Sequence, residues 1–437
     1  MSDAGLTGEE LRDAWPVLSP AERLEGFQHL ERAEADDFFL DLSTHEQAAM
    51  LRVMPSGERR LWLRLLAPDD AADLVQQLPD DERAGFLGQL DDVSRREVAA
   101  LMAYAEDAAG GLMSPRFARL RPEMTVDEAI RYLRRQARER LETIYYAYVL
   151  DQEQRIRGVV TFRDLFTAPG IKPLAEVMHT AVISVPDTMD QEAVARVIAE
   201  HDLNALPVVD ADGRMKGIVT VDDIVDVVQH EATEDIQKLG GMEALDTPYM
   251  ETSFGAMVQK RGGWLSALFL GEMLTASAMA HYEHEIARAV VLTLFIPLII
   301  SSGGNSGSQA TTLIIRAMAL GEVSARDWTR IIRRELAAGL ALGGLLATIG
   351  VIRIFVWQSV FHAYGASFVR IALTVGFSLV GVVTWGTLAG SMLPLVVKRL
   401  GFDPATASAP FVATLVDVAG LIIYFNVAQI MLRGTLL

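Results

Sequence analysis

One carboxylate in the C-terminal part of the chain sits where carboxylates are costly. In "PFVATLVDVAGLIIYF", residues 410–425, Asp417 is the only charged side chain between Pro404 and Leu432. An ionisable group in such a run is either buried as a neutral, hydrogen-bonded acid or turned toward a pathway or bundle interior. The second arrangement suits cation coordination or proton transfer. A polar island lies upstream in "IISSGGNSGSQATTLII", where Gly303, Gly304 and Gly307 surround Asn305 and Gln309. Two readings are open there: small residues for close helix packing, or a broken or thinned helix lining a water-filled path. Glu272, in "LFLGEMLTAS", and Arg353 are the other charges inside apolar stretches. Arg353 lies near the end of its stretch and can snorkel; Glu272 can face the pathway or a partner.

The elements that must carry these residues are membrane helices. Five stretches, 262–281, 289–315, 336–360, 371–397 and 405–432, approach or exceed the roughly 20 apolar residues that a bilayer core requires. Lys260, Arg261, Arg316, Arg326, Arg330, Arg333, Arg334, Lys398 and Arg399 flank one side, against Arg288, Arg370 and Arg433 on the other. By the positive-inside rule the N-terminal half is cytoplasmic and the C-terminus outside.

That N-terminal half is strongly acidic. Residues 1–260 carry a net charge of −22 and residues 261–437 a net of +4, within a chain total of −18. A basic nucleic-acid footprint is absent, and no charged-then-apolar leader opens the sequence, so residues 1–260 are not expected to be secreted. The lack of cysteine fits a cytosolic face. Residues 18–110 read as short helices punctuated by proline, a small stacked-helix domain. Next comes an internal repeat: "YVLDQEQRIRGVVTFRDLF" (148–166) matches "PVVDADGRMKGIVTVDDIV" (207–225), with Asp151 over Asp210, Gly158 over Gly217 and Asp164 over Asp223. Each copy reads helix, strand, turn, strand, helix. These residues resemble a tandem pair of CBS domains, modules that bind ligands or ions and usually dimerise.

Three segments make the resemblance specific: "EATEDIQKLGG" after the second CBS domain, "GGNSGSQATTLIIRA", and "ATLVDVAGLIIYF". Together with "AYAEDAAGGLM" and "ETIYYAYVLD", they make the chain similar to the MgtE family of magnesium channels over nearly its whole length. The expected fold is multidomain: an all-α superhelical N domain (1–110), α/β CBS domains (111–170 and 171–232), a linking "plug" helix (233–261) and a five-span helical pore domain (262–437). The resemblance implies a homodimer in a prokaryotic inner membrane that conducts Mg²⁺, closes when cytosolic Mg²⁺ is high, and binds no nucleic acid. Asp417 matches the family's pore aspartate, with Ala413, Thr414, Asn305 and Gly304 as candidate wall residues. Ala409 departs from the amide that some relatives carry before the proline, which bears on selectivity among divalent ions.

By the family's pattern, the Mg²⁺-sensing acids are Asp69 and Asp73 in the helical domain, then Asp190, Glu192, Asp202, Asp223 and Asp226 in the second CBS domain, with Glu231, Glu234 and Asp235 beyond. Asp69 and Asp73 are four apart, hence on one helical face. A single exposed acid is ordinarily a solvated surface charge; it is the clustering ahead of a pore-linked helix that suggests a sensor. Tyr146 and Arg163 occupy positions where relatives can hold ATP, although Leu203 stands where an aromatic would stack the base. Two other functions stay open: a Mg²⁺ carrier coupled to H⁺ or Na⁺, for which Glu272 and His281 leave room, or a broader divalent cation transporter. A membrane-anchored sensor without transport conflicts with the polar island. No His/Cys set or phosphate-cradling loop accompanies the acids, so no catalytic constellation forms.

Overall fold

Proline and capping side chains cut the first hundred residues into short helices. In the computed structural model, which describes residues 7–136, 141–143, 145–245, 247–250 and 252–434, these run from Gly8–Ala14 to Asp92–Leu101. Thr7, Ser19 and Ser43 each close a capping box with the glutamate three residues on: Glu10, Glu22 and Glu46. Arginines reach back to carbonyls that would otherwise be orphaned. Arg23 bonds the Trp15 carbonyl at 3.0 Å, Arg59 that of Met54 at 2.8 Å, and Arg83 that of Leu78 at 2.9 Å. Helices this short are marginal alone. Phe27, Phe38, Phe39, Leu51, Trp62, Leu74 and Val75 bury them against one another.

The sequence repeat becomes two three-stranded sheets of the same topology. Ala118–Leu120 pairs parallel with Tyr146–Leu150, which pairs antiparallel with Ile156–Thr161; Val185–Pro186, Ala205–Val209 and Met215–Thr220 repeat the pattern. The matched residues are structural. Asp151 and Asp210 each accept the amide four residues on, from Arg155 at 2.8 Å and Arg214 at 2.9 Å, closing the strand turns. Gly158 and Gly217 are closely covered: a Cβ would lie 2.7 Å from Met178 Sδ in one and 2.7 Å from the Ser114 carbonyl in the other. Asp164 and Asp223 bond Thr161 and Thr220 at the starts of the following helices. Contacts divide the chain into two units, Met1–Glu231 and Ala232–Leu437; all of the above belongs to the first.

The second unit is helical. Phe254–His281, Ile296–Ala319, Trp328–Phe361, Phe368–Arg399 and Ala409–Leu432 are its long helices. Among the described residues, four of them, not the expected five, are long and apolar enough to cross a membrane. Phe254–His281 has the length, 28 residues or about 42 Å, but Lys260, Arg261 and Glu272 fall within it. The linking segment also differs from a single helix over 233–261. A helix runs Val221–Leu239 and stops at Gly240 and Gly241, the latter at φ 73°, and the next begins only at Phe254, capped by Ser253.

The polar island does not break its helix. Ile296–Ala319 is continuous α-helix, preceded by a 3₁₀ segment, Val290–Phe295. Its hydroxyls bond carbonyls of the preceding turn, Ser302 to Leu298 at 2.7 Å and Thr311 to Gly307 at 2.9 Å. Its glycines serve backbone contact instead. A Cβ on Gly386 would fall 2.3 Å from the Gly303 carbonyl, and one on Gly390 would fall 2.1 Å from that of Gly307. Small residues four apart on both helices thus bring the backbones together.

Candidate functional site

In the second unit, Asp417 is half-buried on Ala409–Leu432, whose first turn is capped by Ser408 and opened by Pro410. Gly304 packs beside it: a Cβ there would stand 3.6 Å from Ala413 Cβ and 4.0 Å from Asp417 Oδ1. Gly271 lies against Thr414, its Cβ position 2.8 Å from the Thr414 methyl. The next residue, Glu272, lies near enough to Asp417 for the two carboxyls to interact electrostatically. Gly304, Ala413, Thr414 and Asp417 therefore converge. Asn305 faces outward one helical step away, 3.5 Å from Ser301 Oγ. Sequence reading left Glu272 unassigned, since nothing in "LFLGEMLTAS" reveals which helix it meets. Arg353 lies over the Phe295 and Trp357 rings, at 6.0 and 5.1 Å, a packing role.

The N-terminal end of the Asp417 helix is tied to the end of Val221–Leu239. Lys238 Nζ reaches Asp403 Oδ2 at 2.6 Å and also pairs with Glu234. Desolvation acts to lower the Lys238 pKa, but the bonds and charges of Asp403 and Glu234 outweigh it and hold the ammonium above its ordinary value. Trp264 Nε1 donates to Ser408 Oγ at 3.2 Å, and Gly241 fits between Trp264 and Pro410, where a Cβ would lie 3.0 and 3.1 Å from them.

In the first unit, Asp69, Asp73, Asp223 and Asp226 line one cleft of about 250 Å³, joined by Asp70 and Glu106, which sequence reading passed over. Among the described residues, no lysine or arginine lines it. Asp69 is 5% exposed, and its Oδ1 has no hydrogen-bond partner among the described residues. Burial, then the charges of Glu142 and Asp223, push its carboxyl well above the ordinary range. Burial, then Asp70 and Glu106, push Asp73 up to about 7. Asp223 also rises to about 7, chiefly by burial, despite its bond from Thr220.

The remaining predicted acids do not line this cleft. Asp190 caps Gln191–Glu200, and Glu192 is exposed on its first turn. Asp202 is exposed in a left-handed conformation, φ 50°. Glu231 accepts a bond from the Gln191 amide, Glu234 is held by Lys238, and Asp235 is half-buried on the same helix. Tyr146 pairs in register with Thr161, and Arg163 follows two residues later. Among the described residues, no three His, Cys, Asp or Glu side chains are grouped so as to hold a metal ion by themselves.

A set of membrane-length helices carrying a carboxylate, in one chain with a module of stacked helices and twin sheets, defines a polytopic protein with a large acidic part. Its parts match three family models: the intracellular N domain of MgtE over 7–107, CBS domains over 109–170 and 174–230, and the MgtE divalent cation transporter over 296–427. The chain belongs to the MgtE family. It is 41% identical to the magnesium transporter MgtE of Thermus thermophilus over 98% of this chain and 93% of that protein. The corresponding protein of Enterococcus faecalis is 34% identical, over 98% and 99%. Among solved structures, the cytosolic domain of the Mg²⁺ channel MgtE in complex with ATP is 42% identical. That match covers 51% of this chain and 90% of that one, with a TM-score of 0.48.

Proposed function

We propose that the chain mediates magnesium uptake as a Mg²⁺-selective channel, working as a homodimer with its N-terminal half in the cytoplasm. The observation that carries this reading is the convergence of Asp417, Gly304, Ala413 and Thr414 on a polar, incompletely buried side of the helices. Exposed Ser301, Asn305 and Gln309 lie on an apolar helix, where contact with lipid is unfavourable. A second copy and a water-filled path between the two would satisfy them, with the charged Phe254–His281 helix as the fifth span. Mg²⁺ gives up water reluctantly, so two Asp417 carboxylates facing across a two-fold axis hold a hydrated ion through its waters, weakly enough for release. The excess of flanking Lys and Arg on one side supports placing the N-terminal half in the cytoplasm.

Closure follows from the acidic half. Asp69, Asp73, Asp223 and Asp226, which line one cleft, repel one another unless cations neutralise them. Cytosolic Mg²⁺ bridging them favours a compact state. Val221–Leu239 carries Asp223 near its start and Lys238, bonded ahead of the Asp417 helix, at its end. ATP at Tyr146 and Arg163 is the accompanying ligand reading. Exchange of Mg²⁺ for H⁺ or Na⁺ is the second reading, favoured by the Glu272–Asp417 contact.

The test is Mg²⁺ flux into proteoliposomes. Asp417→Ala is expected to abolish it and Asp417→Asn to reduce it severely; full transport by both variants sinks the proposal.

A further inference from the structure

The first CBS domain carries a feature that magnesium handling does not use. A cleft of about 900 Å³ opens where Ala118–Leu120, the end of Tyr146–Leu150 and the Val126–Gln136 helix meet, and four exposed arginines, Arg119, Arg121, Arg131 and Arg135, line it. In a half with a net charge of −22, arginines would be expected to find carboxylates. None of these four forms an ion pair among the described residues.

The two carboxylates on the cleft wall are already engaged. Glu128 accepts the Thr125 amide at 2.9 Å, and Asp151 accepts the Arg155 amide at 2.8 Å and Arg157 at 2.9 Å. Two of the guanidiniums are also held by aromatic faces: Arg119 lies 4.4 Å from the Phe117 centroid and Arg135 5.7 Å from that of Tyr132. Arg119 also donates from one Nη to the Pro115 carbonyl at 3.4 Å; the remaining edge donors of such guanidiniums suit bonding to a phosphate. Glu128 interacts electrostatically with Arg131, and Glu97 with Arg119, but four grouped cations without an ion pair still cost free energy unless an anion joins them, and the volume is that of a small-ligand site.

We propose that this cleft binds a small polyphosphorylated anion. The site is separate from the Tyr146 and Arg163 position: Tyr146 begins the strand that Leu150 ends, roughly 13 Å away. Multiple phosphates suit it better than one, since the positive charge is spread over a strand edge and a turn of helix.

The experiment is calorimetric titration of inorganic tripolyphosphate into the full chain in neutral-lipid nanodiscs, free of divalent ions and at fixed ionic strength. Saturable binding is expected in the wild type, at least tenfold weaker in Arg131→Gln/Arg135→Gln, and unchanged in Arg134→Gln. The first variant alters exposed side chains, and retention of wild-type thermal stability establishes that it folds. Repetition in discs with anionic phospholipid distinguishes the source: competition assigns a lipid headgroup as occupant, and its absence a soluble compound. The proposal is overturned by no saturable binding, by equal loss in Arg134→Gln, or by a double variant that changes only oligomeric state and leaves binding intact.

Discussion

Lys238 Nζ stands 2.6 Å from Asp403 Oδ2, joining residues 165 apart in the chain. Asp403 immediately precedes the turn into the helix that bears Asp417. A charge-assisted bond of this kind contributes about 1.5–3 kcal/mol, less where solvent screens it. We therefore expect Lys238→Met to weaken Mg²⁺-dependent closure. At saturating internal Mg²⁺, residual flux should rise about 5- to 30-fold, as a change of roughly 1–2 kcal/mol in a two-state gate implies. Asp403→Asn should act in the same direction. Unchanged block in both variants would remove the latch from the gating account.

Neighbouring glycines should respond oppositely to alanine. At Gly304 the new methyl meets Ala413 and Asp417 at 3.6 and 4.0 Å, ordinary contact, so Gly304→Ala should fold normally and alter permeation alone. At Gly303 it meets Val382 at 2.5 Å and Val416 at 2.8 Å. Gly303→Ala should cost about 1–3 kcal/mol. Thermal melts of the detergent-solubilised protein check the contrast, and equal melting temperatures would contradict it.

The acidic cleft predicts a pH dependence. Asp73 and Asp223, each at about 7 in the fold, bind more protons folded than unfolded, because an unfolded carboxyl titrates near 3.9. Stability without Mg²⁺ should therefore decline as pH rises from about 4 toward 7. Millimolar Mg²⁺ should recover much of the loss at pH 8 and little at pH 5, where protons already neutralise the site. Asp73→Asn should flatten both effects. A melting temperature that climbs with pH in this window, Mg²⁺ absent, would contradict the assignment.

Glu272→Gln should leave a folded, conducting protein in which uptake at limiting Mg²⁺ falls about 3- to 10-fold, corresponding to roughly 1 kcal/mol of lost cation attraction. Dissipating the proton gradient separates the two transport readings. Uptake that persists down the Mg²⁺ gradient supports a channel, whereas collapse in the wild type but not in Glu272→Gln supports exchange through the carboxyl pair.

Much of the architecture was legible in the sequence because its signals are local. Hydroxyl caps followed three residues later by glutamate start helices regardless of what they pack against. Asp151 and Asp210 close their turns with amides four residues away. Apolar runs of bilayer length need no partner to be recognised, and an isolated Asp417 is conspicuous in one. Where local signals conflict, legibility fails. "SSGGNSGSQ" is rich in residues that disfavour helix, yet its glycines were needed for contact with Gly386 and Gly390, more than 80 residues on.

Thus the sequence alone determined the repeat, the short capped helices, the apolar spans and the lone membrane aspartate, since each follows from spacing and turn chemistry within a few residues. Tertiary structure decided which faces meet. Gly303 and Gly304 differ by one helical step, about 100°, so one packs against Val382 and the other beside Asp417. It also brought Glu272 to Asp417, Asp70 and Glu106 to the acidic cleft, and Lys238 to Asp403. Those pairings depend on where distant helices cross, which residue spacing does not encode.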